Sequence, residues 1–132
     1  MAGIDNLEVL LRSMSPTLNP THYIYCSVQG ELKDFVHLKP LASFVESEGL
    51  TLIIEQQLAD KAEISYQQTY QQITLAVHSS LEAVGLTAAF ARKLTEYQIS
   101  ANVVAGYYHD HIFVQSSVAK TALVALTELQ HS

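Results

Sequence analysis

The stretch "ITLAVHSSLEAVGLTAAFARKLTEYQISANVVAGYYHDHIFV", residues 73–114, carries most of the fold information in this chain of 132 residues. It opens on alternation. In "QQITLAVH", starting at Gln71, the side chains of Ile73, Leu75 and Val77 fall on one face of an extended segment. The period then changes to that of a helix, with Leu86, Ala89, Phe90, Leu94 and Tyr97 on one side of "SSLEAVGLTAAFARKLTEY". Two more strands, "ISANVVAGYY" and "HIFVQS", come next. Val118, Ala122, Ala125, Leu126 and Leu129 form the apolar stripe of a final helix. The order is strand, helix, strand, strand, helix.

Working back from this block, the first half offers a weaker version of the same order. "HYIYCSVQ" is a strand with Ile24, Cys26 and Val28 on one face and Tyr23, Tyr25 and Ser27 on the other. "LASFVESEGLTLIIEQ" reads as a hairpin, Ala42 to Glu46 and Leu50 to Glu55, turning at Ser47-Glu48-Gly49 with Gly49 supplying positive φ. A continuous helix through 39–48 competes, because Leu41, Phe44 and Val45 also fit a helical stripe. "QQLADKA" is a short helix of good formers. Residues 30–40 have no readable period. Ahead of all this, Asp5 with Glu8 reads as a capping box for a helix carrying Leu7, Leu10, Leu11 and Met14, closed by Pro16 and Pro20. The two halves form a pattern repeat of about sixty residues. This predicts an α+β chain of tandem ferredoxin-like βαββα units with antiparallel sheet, dividing at 1–70 and 71–132.

Bulk composition narrows the function classes. The chain is 48% hydrophobic and 15% charged with a net charge of −6, and its basic residues are scattered. That disfavours nucleic acid and anionic membrane surfaces, which need clustered Lys and Arg. No apolar run is long enough for a signal peptide or a membrane span, so the expected location is the cytoplasm. Cys26 is the single cysteine, which leaves no intrachain disulfide and no C-x-x-C zinc spacing. In its apolar strand it reads as a small packed residue rather than a nucleophile.

The chemistry-bearing residues concentrate at His109-Asp110-His111 and around His78. His-x-His in one straight strand would aim both rings at a shared metal. Here the reversal between the two strands must fall near Tyr108 to Asp110, which puts His109 in the turn and His111 at the start of the next strand. No third ligand presents itself, and no metal or cofactor is expected. Neither G-x-S-x-G nor a Gly-rich phosphate loop occurs, and no catalytic residue is assigned. A small enzyme using His78 or the His109/His111 pair is the competing reading, and an interaction module without ligand is another. "YQQTYQQ", residues 66–72, suits an extended linker or an edge strand.

Three motifs, "LEVLLRSMSPTL", "EGLTLII" and the long block from Val77 to Val114, resemble a family of stand-alone bacterial ACT-domain-like proteins of undefined function. The resemblance spans nearly the whole chain and implies two ACT-like units in tandem. It also implies a small-molecule-binding regulatory or sensor role, with an amino acid as the expected ligand. In such domains the loop after the first strand and the head of the next helix hold the amino acid. On this chain that region is His78, Ser79, Ser80, Glu82, Val84, Gly85, Leu86 and Thr87, and the second strand of a paired domain would add Ser100 and Asn102. The usual Pro-Gly pair of that loop is Val84-Gly85 here. Elementary chemistry agrees in part. Gly85 lets a ligand approach the backbone, the helix head offers unpaired N–H groups to a carboxylate, and Glu82 suits an ammonium. The alternative is structural: Ser79-x-x-Glu82 is also a capping box, and Gly85 also suits helix–sheet packing. The strand "ISANVVAGYY" has neither charge nor proline. At a sheet edge it would be poorly protected, so a homodimer, or pairing of the two halves over this strand, is expected.

Overall fold

The computed structural model describes residues 6–76 and 85–131. Both halves are α+β with antiparallel strand pairing, in the expected ferredoxin-like plan. The compact units are Met1–Pro20 with Gln71–Ser132, and Thr21–Tyr70. The division 1–70 and 71–132 follows the sequence repeat. The compact units follow packing instead, because Leu10 and Met14, both fully buried, lie among side chains of the second half.

In the unit that joins the two chain ends, helix α1 (Leu7–Arg12) starts at Asn6, whose side-chain oxygen accepts from the Val9 N–H at 3.2 Å. The cap is therefore Asn6 and not Asp5, which lies outside the described residues. Asn6 has the extended backbone that an N-cap requires. Strand β1 (Thr17–Leu18) pairs antiparallel with β5 (Tyr70–Leu75), Thr17 opposite Thr74. Two side-chain bonds tie the same place. Asn19 Nδ2 donates to Gln72 Oε1 at 3.2 Å, and Gln71 Nε2 donates to the Asn19 carbonyl at 3.2 Å.

The rest of this unit keeps the predicted order: helix α3 (Leu86–Glu96), strands β6 (Asn102–Ala105) and β7 (Asp110–Gln115), and helix α4 (Ala119–Gln130). Its strands run β1, β5, β7, β6, with β6 outermost. Leu86, Phe90 and Leu94 of α3 and Ala122, Ala125 and Leu126 of α4 are buried with Ile73, Leu75, Ile112 and Val114 of the sheet. The alanines of α4 leave room for Phe90, whose burial contributes about 1.5–3 kcal/mol.

The other unit contains β2 (Tyr23–Val28), a 3₁₀ helix (Leu32–Leu38), β3 (Ala42–Glu46), β4 (Gly49–Glu55) and α2 (Gln56–Lys61). Strand β4 pairs antiparallel with β2, from Tyr23 opposite Glu55 to Val28 opposite Leu50, and with β3, from Ala42 opposite Ile53 to Glu46 opposite Gly49. The hairpin reading of 42–55 therefore holds over the helical one. Gly49 is required by close approach: a Cβ there would stand 2.7 Å from Ser27 Oγ and 3.0 Å from the Val28 carbonyl oxygen. Ile24, Leu38, Leu50, Leu52, Ile54 and Ala59 make the core, with Cys26, Val28 and Phe35 packed against it.

Residues 32–38, unread in the sequence, are helical for a local reason. Glu31 and Asp34 cap each other's backbone N–H groups, and Lys39 in the left-handed region, followed by Pro40, ends the helix. The three-residue period of a 3₁₀ turn brings Phe35 and Leu38 to one side, a pattern too short to show periodicity.

Candidate functional site

The strand-to-helix connection of the first-described unit is the expected ligand region. His78, Ser79, Ser80, Glu82 and Val84 lie outside the described residues. Gly85, Leu86 and Thr87 form the head of α3. Gly85 is the N-cap at φ 97°, and a Cβ on it would stand 3.2 Å from Leu7 Cδ2. It serves both a left-handed turn and the packing of α1. Leu86 is buried in the core and so holds the helix rather than facing a ligand, whereas Thr87 is exposed.

Ser100 is exposed in the connection after α3. Asn102 opens β6, and its amide Nδ2 donates to the Phe113 carbonyl across the strand pair at 3.1 Å. The two sets of expected residues sit at opposite ends of α3. Its eleven residues span about 16 Å at 1.5 Å each. One amino acid cannot touch both ends in a single copy of the unit.

The corresponding connection of the other unit encloses a cavity that sequence reading missed. Gln29, Gly30, Glu31 and Leu32 leave β2 and begin the 3₁₀ helix, and Ser43 and Val45 of β3 face them across about 490 Å³, with Glu46 at the rim. That volume suits a small metabolite. Gln29 Nε2 donates to the Glu48 carbonyl at 2.7 Å, which pins the connection to the hairpin turn. Glu46 accepts from the Thr51 hydroxyl, which holds its carboxylate on the face of the hairpin opposite Ser43 and Val45. Glu31 pairs with Lys33 at 3.3 Å, both of them exposed. The Glu31 carboxylate, which accepts from the Asp34 backbone N–H, stands beside the backbone polar groups of the connection and is suited to an ammonium group. The sequence signal was available: Gly30 ends its strand just where Gly85 precedes its helix, and Glu31-x-x-Asp34 marks a helix start.

The His109-Asp110-His111 turn resolves as the turn reading has it. Gly106 to His109 connect β6 to β7, closed by the Gly106 N–H donating to the His109 carbonyl at 2.9 Å, and Asp110 opens β7. His111 Nδ1 stands 3.0 Å from both Gln72 Nε2 and Thr74 Oγ1 of β5. Because Asn19 occupies Gln72 Oε1, the Gln72 amide N–H faces the ring, and Nδ1 accepts from it. Burial first, then His109, lowers the His111 pKa, so the ring is held neutral with its proton on Nε2. Burial raises the Asp110 carboxyl, against the pull of the two histidines. Among the described residues no group of three or more His, Cys, Asp or Glu side chains could hold a metal ion. Burial likewise raises the Cys26 thiol, which disfavours a thiolate there.

Comparison with known proteins supplies the family. Sequence patterns of the ACT domain match residues 2–71 and again residues 68–128. A crystal structure of a Vibrio cholerae protein of unknown function, described as a possible transport protein, superposes with a TM-score of 0.88 at 55% identity, covering 98% of this chain and 99% of that one. The regulatory subunit of aspartate kinase from Thermus flavus shares the fold at a TM-score of 0.63 and 8% identity, over 86% of this chain and 95% of that one. E. coli aspartokinase III in complex with aspartate and ADP does so at a TM-score of 0.64 and 10% identity, over 89% of this chain and 33% of that one. Comparison with curated proteins gave no match. Among the described residues no helix is long and apolar enough to cross a membrane. Two consecutive domain matches and a near-full-length likeness settle the assignment: the chain belongs to the ACT-domain family and carries two such domains in tandem.

Proposed function

We propose that this tandem ACT protein is a cytoplasmic, non-catalytic regulator that binds an amino acid or a closely related metabolite at the strand-to-helix connections of its units. ACT domains are regulatory ligand-binding modules, and the tandem match is the starting point. The observation that carries the reading is the cavity of about 490 Å³ between the Gln29–Leu32 connection and β3. Glu31 would receive the ammonium group of the ligand there. In the other unit, Thr87 and the residues before Gly85, His78, Ser79, Ser80, Glu82 and Val84, would serve the same purpose. Ser100 and Asn102, a helix length away, would reach that ligand from a second copy of the chain, which makes the working form a homodimer. Binding then favours one arrangement of subunits, and that bias is the signal.

A thermal-shift panel of the twenty amino acids tests this reading. Ligand at a hundredfold its Kd stabilises the native state by about 2.7 kcal/mol, enough to move the melting temperature by several degrees. Glu31→Gln, which keeps an acceptor for the Asp34 N–H, should remove most of the response to the active amino acid. A flat panel would sink the proposal.

A further inference from the structure

The unit holding β2 has a second hollow, of a different chemistry. Tyr23 of β2 pairs antiparallel with Tyr70, the last residue of this unit. Beyond that pair the chain segment before Tyr70 diverges from β2, and a cleft of about 540 Å³ opens between Tyr25, Cys26 and Ser27 on one side and residues 64–68 with Tyr70 on the other. None of the side chains lining it is charged.

Its aromatic walls are fixed in advance. Tyr25 and Tyr70 meet edge to face, with ring centroids 5.0 Å apart at 70°. The Tyr66 hydroxyl donates to Asp60 at 2.7 Å and accepts from Gln56 Nε2 at 2.9 Å, which locks its ring. Gln67 and Gln68, both exposed, line the cleft beside these rings and carry amide groups with donor and acceptor side by side.

We propose that this cleft is a binding site for an uncharged planar heterocycle with hydrogen-bonding edges, of the nucleobase kind. A carboxylate or phosphate would lose part of its hydration there with no cation among the lining side chains to pair it. A planar base loses little on entering, because tyrosine faces stack on it and glutamine amides match its edge. The site is separate from the cavity at the Gln29–Leu32 connection, where Glu31 and Glu46 stand, and does not depend on what that cavity binds.

Cys26 is the only cysteine of the chain and lines the cleft, so a thiol reagent reads this one place. With free adenine, guanine, cytosine and uracil as probes, disulfide exchange at Cys26 is followed at about pH 8.5, where thiolate forms. At ten times its Kd, a base that binds should slow the reaction on the order of tenfold. The double variant Gln67→Ala, Gln68→Ala should lose that protection while melting like the parent chain, and Glu31→Gln should keep it. If Cys26 is too slow to follow, chemical shifts of the Gln67 and Gln68 side-chain amides on titration with the same bases replace it. Absence of saturable protection or shift with every base overturns the proposal. So does protection that survives the double glutamine variant, or equal protection by zwitterionic phenylalanine or tyrosine, which would show that the cleft does not select against charge.

Discussion

The two units share one plan but close it differently. In the unit containing α3, the helix after the first strand has eleven residues and begins at a left-handed glycine packed on Leu7. Its core draws on both ends of the chain, with fourteen buried side chains among the described residues. In the other unit the equivalent helix is a 3₁₀ segment of seven residues, and the core has six. Both of the hollows discussed above lie in this second unit. The lesson is one of division of labour. A small domain with few buried residues leaves space between its elements, and the larger unit spends its apolar side chains on packing.

Substitutions in the two cores should separate the units most strongly. Phe90→Ala empties a fully buried site and should cost about 3–5 kcal/mol by denaturant unfolding. Ile24→Val, also fully buried, should cost about 0.5–1.5 kcal/mol. A comparable loss from both would break the contrast.

Gly85→Val comes next. At φ 97° with Leu7 at 3.2 Å a branched residue is strained, and a cost of about 1–3 kcal/mol is expected. Adding Leu7→Ala should return part of it, so the double variant will be more stable than the sum of the singles predicts. Strict additivity would mean that α1 does not rest on Gly85.

The outer strands give a smaller effect on stability and a large one on assembly. Val103 on β6 is 36% exposed, so Val103→Lys should change the stability of a single copy by no more than about 0.5 kcal/mol. Light scattering should show the proposed homodimer giving way to monomer. Unchanged mass would move the interface elsewhere, and β3, where Phe44 is 71% and Val45 83% exposed, would become the place to look.

The smallest effect is on pH dependence. The folded His111 titrates below 6.5. As pH falls through 6.5 the unfolded chain therefore takes up its proton first, and stability declines until the folded value is passed. Above that window the contribution is complete. His111→Gln should flatten this part of the stability profile. Asp110 acts with the opposite sign. Its folded carboxyl titrates above 3.8, so stability falls as pH rises from 3.8 through the folded value. A profile unaltered by His111→Gln would mean that the ring is solvated rather than held by Gln72 and Thr74.

How much of this was legible depended on the reach of each signal. The stripe Leu86, Phe90, Leu94 and the alternation Ile73, Leu75 are local periods, and they located α3 and β5 because one face of each had to be buried. The 42–55 hairpin was readable against its helical rival because Ser47-Glu48-Gly49 is a turn signal between two extended runs. The 3₁₀ helix at 32–38 was not, since its apolar residues are too few to set a period. Nor did anything local show that Leu10 and Met14 belong with the second half, because that association exists only through long-range burial. Among the site residues, the pattern placed Gly85 and Thr87 at a helix head. The same stripe already turned Leu86 inward, against its place among the expected ligand contacts, but nothing local could tell that α3 separates Asn102 from Gly85 and Thr87. The cavity at Gln29–Leu32 stayed hidden behind the unread helix that forms its wall.

Amide chemical-shift mapping of the ¹⁵N-labelled chain, titrated with pools of the twenty amino acids, addresses the central claim most directly. The account predicts saturable shifts from one amino acid or a few related ones, concentrated at Gly30–Leu32 and Ser43–Ser47, with a second set at Gly85–Thr87. Glu31→Gln should abolish the first set and spare the second. No saturable shift from any pool, or shifts confined to residues far from both strand-to-helix connections, would contradict it.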